Sequence, residues 1–409
     1  MINVLLYRLS ILCYKLLILL ASAFNAKAAS WLKGRNKLNY NTFFNSLNTQ
    51  PLIWLHASSL GEYEQGRPIL DALFAKHPTY QFVVSFFSPS GYEVINLNKN
   101  YFSCVYLPLD TPKNAKKFIE RLNPTLVIWV KYDYWYFMLK ALYKNNIALY
   151  LVSAYILQSQ PFFKWYGGLQ LKCLQFFKHI FVQDANSKNL LLALNKKLPV
   201  TVAGDTRYAR ALHIANEVYK NDVVKQFKAN EKLIICGSTW TNDIDVLKAS
   251  KAIENFKLII APHNINTTNI NYIITAFPNC VLYSNCNVNE LQSKRVLVID
   301  CIGMLAKMYR YATIVFVGGG FTKSGIHNIV EPAAYNIPVL FGQNYKKYLE
   351  AEIMLKENAA LSFTNVDELN IYIDKLLNDG VFYDTICDNV KQVFSENCTA
   401  VDIILKEIG

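Results

Sequence analysis

Three consecutive glycines, Gly318, Gly319 and Gly320, close the apolar run 312–317, and a short polar stretch leads from them to Asn328 and Glu331. The apolar run reads as a buried parallel strand broken by the glycines, and the spacing predicts a helix starting near Asn328 with Glu331 in its first turn. Such a layout can hold a nucleotide. Glycines let the backbone approach a phosphate, a helix N-terminus presents free N–H groups, and a carboxylate can accept two ribose hydroxyls. The same spacing also describes a tight strand-to-helix turn whose Glu331 merely complements the helix dipole. Spacing leaves both readings open.

These residues sit in a chain of 409 residues, 52% hydrophobic, which is enough to bury two ordinary cores. Nine cysteines are scattered with no CxxC pair, which disfavours a zinc site or a disulfide framework and fits a reducing compartment. The net charge of +12 is not gathered into Arg-rich runs interleaved with aromatics. Nucleic acid is therefore not the expected partner, and an anionic membrane or anionic substrate fits better, with a solvated basic surface as the alternative.

The first 37 residues contain no acid. Residues 4–24 are almost wholly apolar but carry Arg8 and Lys15, seven apart and on one face of a helix, where both can snorkel while the leucines enter an acyl region. An uncleaved anchor over residues 1–30 is expected, spanning the bilayer or lying in the cytoplasmic leaflet with its basic flank inside. A signal peptide would place its charge before the apolar run, although Ala21-Ser22-Ala23 resembles a cleavage site and keeps that alternative open.

Strand signals recur at 51–56, 80–86, 104–107, 126–130, 148–153 and 180–182, with a helix predicted over 65–76. A second series follows at 233–236, 258–261, 281–283, 296–299, 314–317 and 338–341. This alternation predicts an α/β chain with two doubly wound parallel sheets in tandem, joined near 208–232. Two Rossmann-like domains facing across a cleft describe the GT-B architecture. Its expected limits are an N-terminal acceptor-binding domain over 31–215 and a C-terminal nucleotide-sugar-binding domain over 216–409.

Five motifs occur in one order: His56-Ala57-Ser58-Ser59-Leu60-Gly61-Glu62 with Gln65-Gly66-Arg67-Pro68; Gly237-Ser238-Thr239-Trp240; Ala261-Pro262-His263; Asp300-Cys301-Ile302-Gly303; and the block 318–340. In these the chain resembles the 3-deoxy-D-manno-octulosonic acid (Kdo) transferase family over nearly its whole length. The resemblance implies transfer of Kdo from CMP-Kdo to the lipid A precursor (lipid IVA) in lipopolysaccharide core synthesis, with inversion at the anomeric carbon, at the cytoplasmic side of the inner membrane. It implies Glu62 as the general base, and the helix N-terminus beside Gly61 is expected to keep that carboxylate charged; a solvated first-turn Glu is the plainer reading. Glu64 reads as surface. The family's cytidine contacts fall on Pro262, His263, Ile302, Gly303, Met304, Asn328, Ile329, Val330 and Glu331. No metal and no cofactor are expected.

Two departures matter. Where many members of the family have Asp-Thr-x-Gly-Glu-Leu, this chain has Asp300-Cys301-Ile302-Gly303-Met304-Leu305, so a role through backbone survives and a role for the missing carboxylate does not. Where many have Glu-Thr-Glu-Leu-Trp-Pro, this chain has Lys131-Tyr132-Asp133-Tyr134-Trp135-Tyr136. Lys131, Arg207, Ser238 and Thr239 are candidate anion contacts, Lys131 being equally a structural partner of Asp133. Residues 162–166, Phe-Phe-Lys-Trp-Tyr, read as a lipid-facing patch or as core. Alternatives to the whole reading are a GT-B transferase using a UDP-sugar on a lipid-linked acceptor, and a non-catalytic membrane glycolipid-binding protein.

Overall fold

The computed structural model describes residues 2–97 and 101–409. The chain divides into two compact units, residues 1–206 with 399–409, and residues 207–398.

The first unit is built on seven parallel strands: β1 (Leu52–Ala57), β2 (Gln81–Phe86), β3 (Ser103–Tyr106), β4 (Leu126–Val130), β5 (Ala148–Ala154), β6 (His179–Val182) and β7 (Val200–Val202), in the order β3-β2-β1-β4-β5-β6-β7. β1 pairs with β2 through Leu52↔Gln81 and with β4 through Ile53↔Leu126. Every residue of β1 is buried, as expected of a parallel strand covered on both faces. Alternation decides which core each side chain enters. Trp54, Val83, Trp129 and Leu151 pack on one face, while Ile53, Leu55, Val84, Ile128 and Val152 pack on the other.

The second face is covered by a helix that begins at Leu60, five residues before the start the sequence predicts, and runs to Lys76. It lies close to the sheet because residue 66 is glycine: a Cβ there would sit 2.6 Å from Leu55 and 2.9 Å from Val130. The C-terminal helix Ala400–Ile408 packs on this same face, with Ile404 fully buried beside Leu70 and Tyr63. The last residues thus return to the first unit, whereas the sequence places them with the second.

The anchor segment forms α1 (Ile2–Ala21), followed by α2 (Ala26–Lys37) and α3 (Tyr40–Asn45). α1 has the length and apolarity to cross a membrane. It is nevertheless docked along the first unit by one stripe. Tyr7 donates to Asp110 Oδ2 at 2.6 Å, Ile11 is buried, Tyr14 meets the rings of Trp31 and Phe87, and Arg8 lies over Phe137 at 5.4 Å. Leu5, Leu9, Leu12, Leu16 and Leu20 point away and are 56–67% exposed. The aromatic stretch near 162–166 divides: Phe162 is core and Trp165 is 95% exposed.

The second unit repeats the plan with β8 (Leu233–Thr239), β9 (Lys257–Pro262), β10 (Cys280–Leu282), β11 (Val296–Val298), β12 (Ile314–Val317), β13 (Val339–Gly342) and β14 (Leu361–Phe363), in the order β10-β11-β9-β8-β12-β13-β14. Together the two sheets give the Rossmann-like pair of the GT-B class. β7 and β14 are edge strands of three residues that the sequence pattern does not reveal. In the first sheet the strand order reverses between β1 and β4; in the second the matching reversal lies between β8 and β12, with β10 placed outside β11 at the sheet edge. A crevice opens at such a point beyond the carboxyl ends of the strands.

Candidate functional site

In the first unit that crevice gathers Glu62, Lys131, Asp133 and His56. Glu62 stands in the first turn of the helix after β1, and its Oε2 accepts the Ser58 N–H at 2.5 Å. Burial, then the negative charge of Asp133, push its carboxyl up to about 7, against the pull of the Ser58 and Ser59 N–H groups and Lys131. The expectation that the helix N-terminus keeps Glu62 fully charged is therefore corrected: desolvation outweighs the dipole. A carboxylate so placed takes a proton near neutral pH, which is what a general base requires.

Asp133 is held beside it from several sides. Its Oδ2 accepts from Trp135 Nε1 at 3.2 Å and lies 3.5 Å from His56 Nε2, while its carbonyl accepts Trp129 Nε1 at 2.5 Å. Ser85 Oγ accepts Trp54 Nε1–H at 2.8 Å, so its own proton is free for His56 Nδ1 at 2.8 Å. That leaves the His56 Nε2–H facing Asp133. Lys131 directly follows β4 in the left-handed region, φ 61°, with its N–H on Val152 O. A β-carbon in that region is strained, and strain of this kind collects at working sites. Sequence reasoning quoted His56 and Asp133 without pairing them; the signal was a histidine inside an otherwise apolar strand.

In the second unit His263 and the stretch from His327 to Glu331 lie near the β8–β12 reversal, while Ile302 and Gly303 stand in the exposed loop after β11. Pro262 ends β9, and His263 donates its N–H to Thr239 O at 2.9 Å. Trp240, His263 and His327 form a stacked column, with ring centroids 4.7 Å and 4.3 Å apart, and Trp240 Nε1 donates to His327 Nε2 at 3.0 Å. Burial and His263 lower His327 to about 4, so the column is uncharged at neutral pH. Asp243 Oδ2 accepts the N–H groups of both Trp240 and Gly319 at 2.8 Å, tying the loop after β8 to the glycine block. A Cβ on residue 318 would come 2.5 Å from Ser238 O, so that position must be glycine. Asp243 and His327 escaped the sequence reading, although an acid three residues after Trp240 is the mark of a helix start.

Asn328 Nδ2 donates to Glu331 Oε1 at 2.9 Å and Asn328 Oδ1 accepts Val330 N–H, which fixes the Glu331 carboxylate. The helix there is only Val330–Ala333. Ile329 and Val330 are fully buried, so their contribution to a ligand is confined to backbone. Gly303 has φ +92° and Ile302 is 88% exposed, while Cys301 Sγ lies 3.1 Å from Met304 Sδ. Tyr309, just beyond, reaches Gly237 and lies in the field of Glu331. Ser238 has φ 54°, and Thr239 Oγ1 is buried without a hydrogen-bond partner. Arg207 Nη1 sits 2.9 Å from Glu350 Oε1, a buried carboxylate, so part of its charge is met within the fold. Among the described residues no three His, Cys, Asp or Glu side chains converge to hold a metal.

Residues 34–210 match the family described as 3-deoxy-D-manno-octulosonic-acid transferase (kdotransferase). The chain is 25% identical to a bifunctional glycosyltransferase/methyltransferase of Fusobacterium nucleatum over 89% of its own length, and it spans 58% of that longer protein. It is 26% identical to a 3-deoxy-D-manno-octulosonic acid transferase of Aquifex aeolicus, over 81% of this chain and 87% of that one. Its fold is similar to that of a putative UDP-N-acetylglucosamine 2-epimerase from Listeria monocytogenes, with TM-score 0.60 and 15% identity over 88% of this chain and 96% of that one.

Proposed function

Starting from a chain that belongs over residues 34–210 to the Kdo transferase family of glycosyltransferases, we propose that it moves Kdo from CMP-Kdo to the lipid A precursor lipid IVA. The first unit takes the acceptor and the second the nucleotide sugar. The single observation that carries the reading is Glu62, a half-buried carboxylate at the strand-order reversal, pushed up to about 7 by desolvation and Asp133. Its carboxylate removes the proton of the acceptor hydroxyl as that oxygen bonds to the anomeric carbon of Kdo. The bond from that carbon to the CMP phosphate oxygen breaks on the opposite face, and its electron pair leaves with CMP. Attack opposite the leaving group inverts the centre.

On the donor side, Glu331 held by Asn328 accepts ribose hydroxyls, while the backbone of Gly303 and its neighbours meets the cytosine edge. The neutral column of Trp240, His263 and His327 offers a flat apolar wall. Ser238, Thr239 and Lys131 are the candidate contacts to the anionic groups of donor or acceptor. The chemistry proposed calls on no cofactor.

The anchor lies in the cytoplasmic leaflet of the inner membrane without crossing it. A helix held by Val4, Tyr7, Ile11 and Tyr14 to a polar domain cannot also be surrounded by acyl chains, whereas its leucine face can enter them. Product analysis with purified protein, lipid IVA and either CMP-Kdo or UDP-sugars tests the reading. Transfer from a UDP-sugar, or none from CMP-Kdo, overturns it.

A further inference from the structure

A cavity of ≈330 Å³ lies between α1, α2, α3 and the helix Pro112–Leu122, lined among others by Lys15, Trp31, Arg35, Tyr40 and Lys117. Its lining carries three cations and no acid. Arg35 is the unusual member. Its guanidinium is stacked 3.7 Å above the ring of Trp31 and within 4.8 Å of those of Phe87 and Tyr106, and its Nη2 donates to Phe87 O at 2.7 Å. Its Nε and Nη1 are buried with no hydrogen-bond partner, and among the described residues no carboxylate pairs with it. Burial lowers its pKa to about 10, which leaves it cationic at neutral pH. Trp31 is 5% exposed, and its Nε1–H is likewise without an acceptor.

A buried cation without a counter-ion is costly, and so is each buried donor left unpaired. Both costs fall if the lining opens enough to bring an anion with several acceptor oxygens against these donors. A planar guanidinium flanked by an indole N–H and two flexible ammonium groups suits the oxygens of a phosphate. Acids close to the lining are engaged elsewhere: Asp110, next to Leu109, accepts from Tyr7, Phe137 N–H and Met138 N–H, Glu93 binds Ser30, and Glu120 pairs with Lys116. Lys15 belongs to α1, one residue before Leu16 of the exposed leucine face. An anion in the cavity therefore lies next to the surface that enters the acyl region.

We propose that this cavity is the headgroup site of an anionic glycerophospholipid of the bilayer, with the phosphate on Arg35, Trp31 Nε1, Lys15 and Lys117 and the acyl chains along the leucine face of α1. It is a site apart from Glu62, and it rests on the interfacial placement of α1 proposed above. The lipid fixes the orientation of the first unit on the leaflet.

The test uses full-length protein in neutral detergent with dihexanoyl-phosphatidylglycerol below its micelle concentration, read by thermal unfolding and calorimetry. Binding with a rise in Tm is expected. Arg35→Gln should weaken it about tenfold or more, the scale of lost hydrogen bonds to a charged group. Because Arg35 is packed, the double variant Lys15→Gln/Lys117→Gln, whose side chains are exposed, gives the same readout without disturbing the core. Lys196→Gln should leave binding unchanged. No binding of the short-chain lipid, equal binding by the variants, or an equal effect from inorganic phosphate overturns the site. So does a response to lipid IVA alone that Arg35→Gln abolishes. Sedimentation with phosphatidylcholine vesicles separates the two proposals: if wild-type protein ignores the vesicles while still binding the short-chain lipid, the interfacial anchor fails and the phosphate site stands.

Discussion

Glu62→Gln separates the cost of the carboxylate from its use. Burial and Asp133 raise Glu62 from an ordinary 4.5 to about 7. A group whose pKa is higher in the folded protein than in the unfolded chain holds extra protons between those values, so its favourable contribution is full below 4.5 and is lost as pH rises through 7. Each factor of ten in proton affinity is about 1.4 kcal/mol, which makes the ionised Glu62 a burden of roughly 3 kcal/mol at pH 8 and somewhat under 1 kcal/mol at pH 5. Glutamine keeps the acceptor for the Ser58 N–H and cannot ionise. The variant should therefore gain about 2.5 kcal/mol over wild type on going from pH 5 to pH 8, measured by urea unfolding in a fixed detergent. In the same preparation turnover should fall by at least ~10²-fold while CMP affinity stays near that of wild type. A stability difference equal at both pH values would refute the argument that burial raises Glu62. Retained turnover would refute its role as base.

Asp133→Asn removes the negative charge beside Glu62, so the acid limb of the kcat/KM profile should move to lower pH; an unmoved limb separates Asp133 from the base. Glu331→Ala should weaken CMP binding by roughly 1.5–3 kcal/mol, the scale for hydrogen bonds to a charged group, and unchanged calorimetric affinity would leave Glu331 a helix-end residue only. Replacing Leu5, Leu9, Leu12 and Leu16 by serine should shift the protein from vesicles to solution with its unfolding transition kept, because these side chains face outward. A loss of folding instead would place that face inside the protein.

Alternation of apolar runs with helical patterns was enough to read two doubly wound units, because a strand covered on both faces must be continuously apolar and its period leaves little choice. The glycines at 318–320 were equally legible, since close backbone approach excludes a side chain there. β7 and β14 were not, although β10, equally short and at an edge, was. Nor could the sequence tell that α1 docks by Tyr7 and Ile11, because a stripe of tyrosine and isoleucine inside an apolar helix looks the same whether lipid or protein covers it.

The remaining differences are electrostatic, and these depend on which groups meet. That Arg207 meets Glu350, 143 positions later in the chain, is a fact of tertiary contact. Likewise the sequence supplies a carboxylate at a helix N-terminus and predicts it charged; only the packing of Tyr63 and the sheet around it, with Asp133 brought from the loop after β4, decides that Glu62 is desolvated enough to hold its proton to about pH 7. Residue types and local period are written along the chain, whereas desolvation and charge pairing are properties of the space between distant segments.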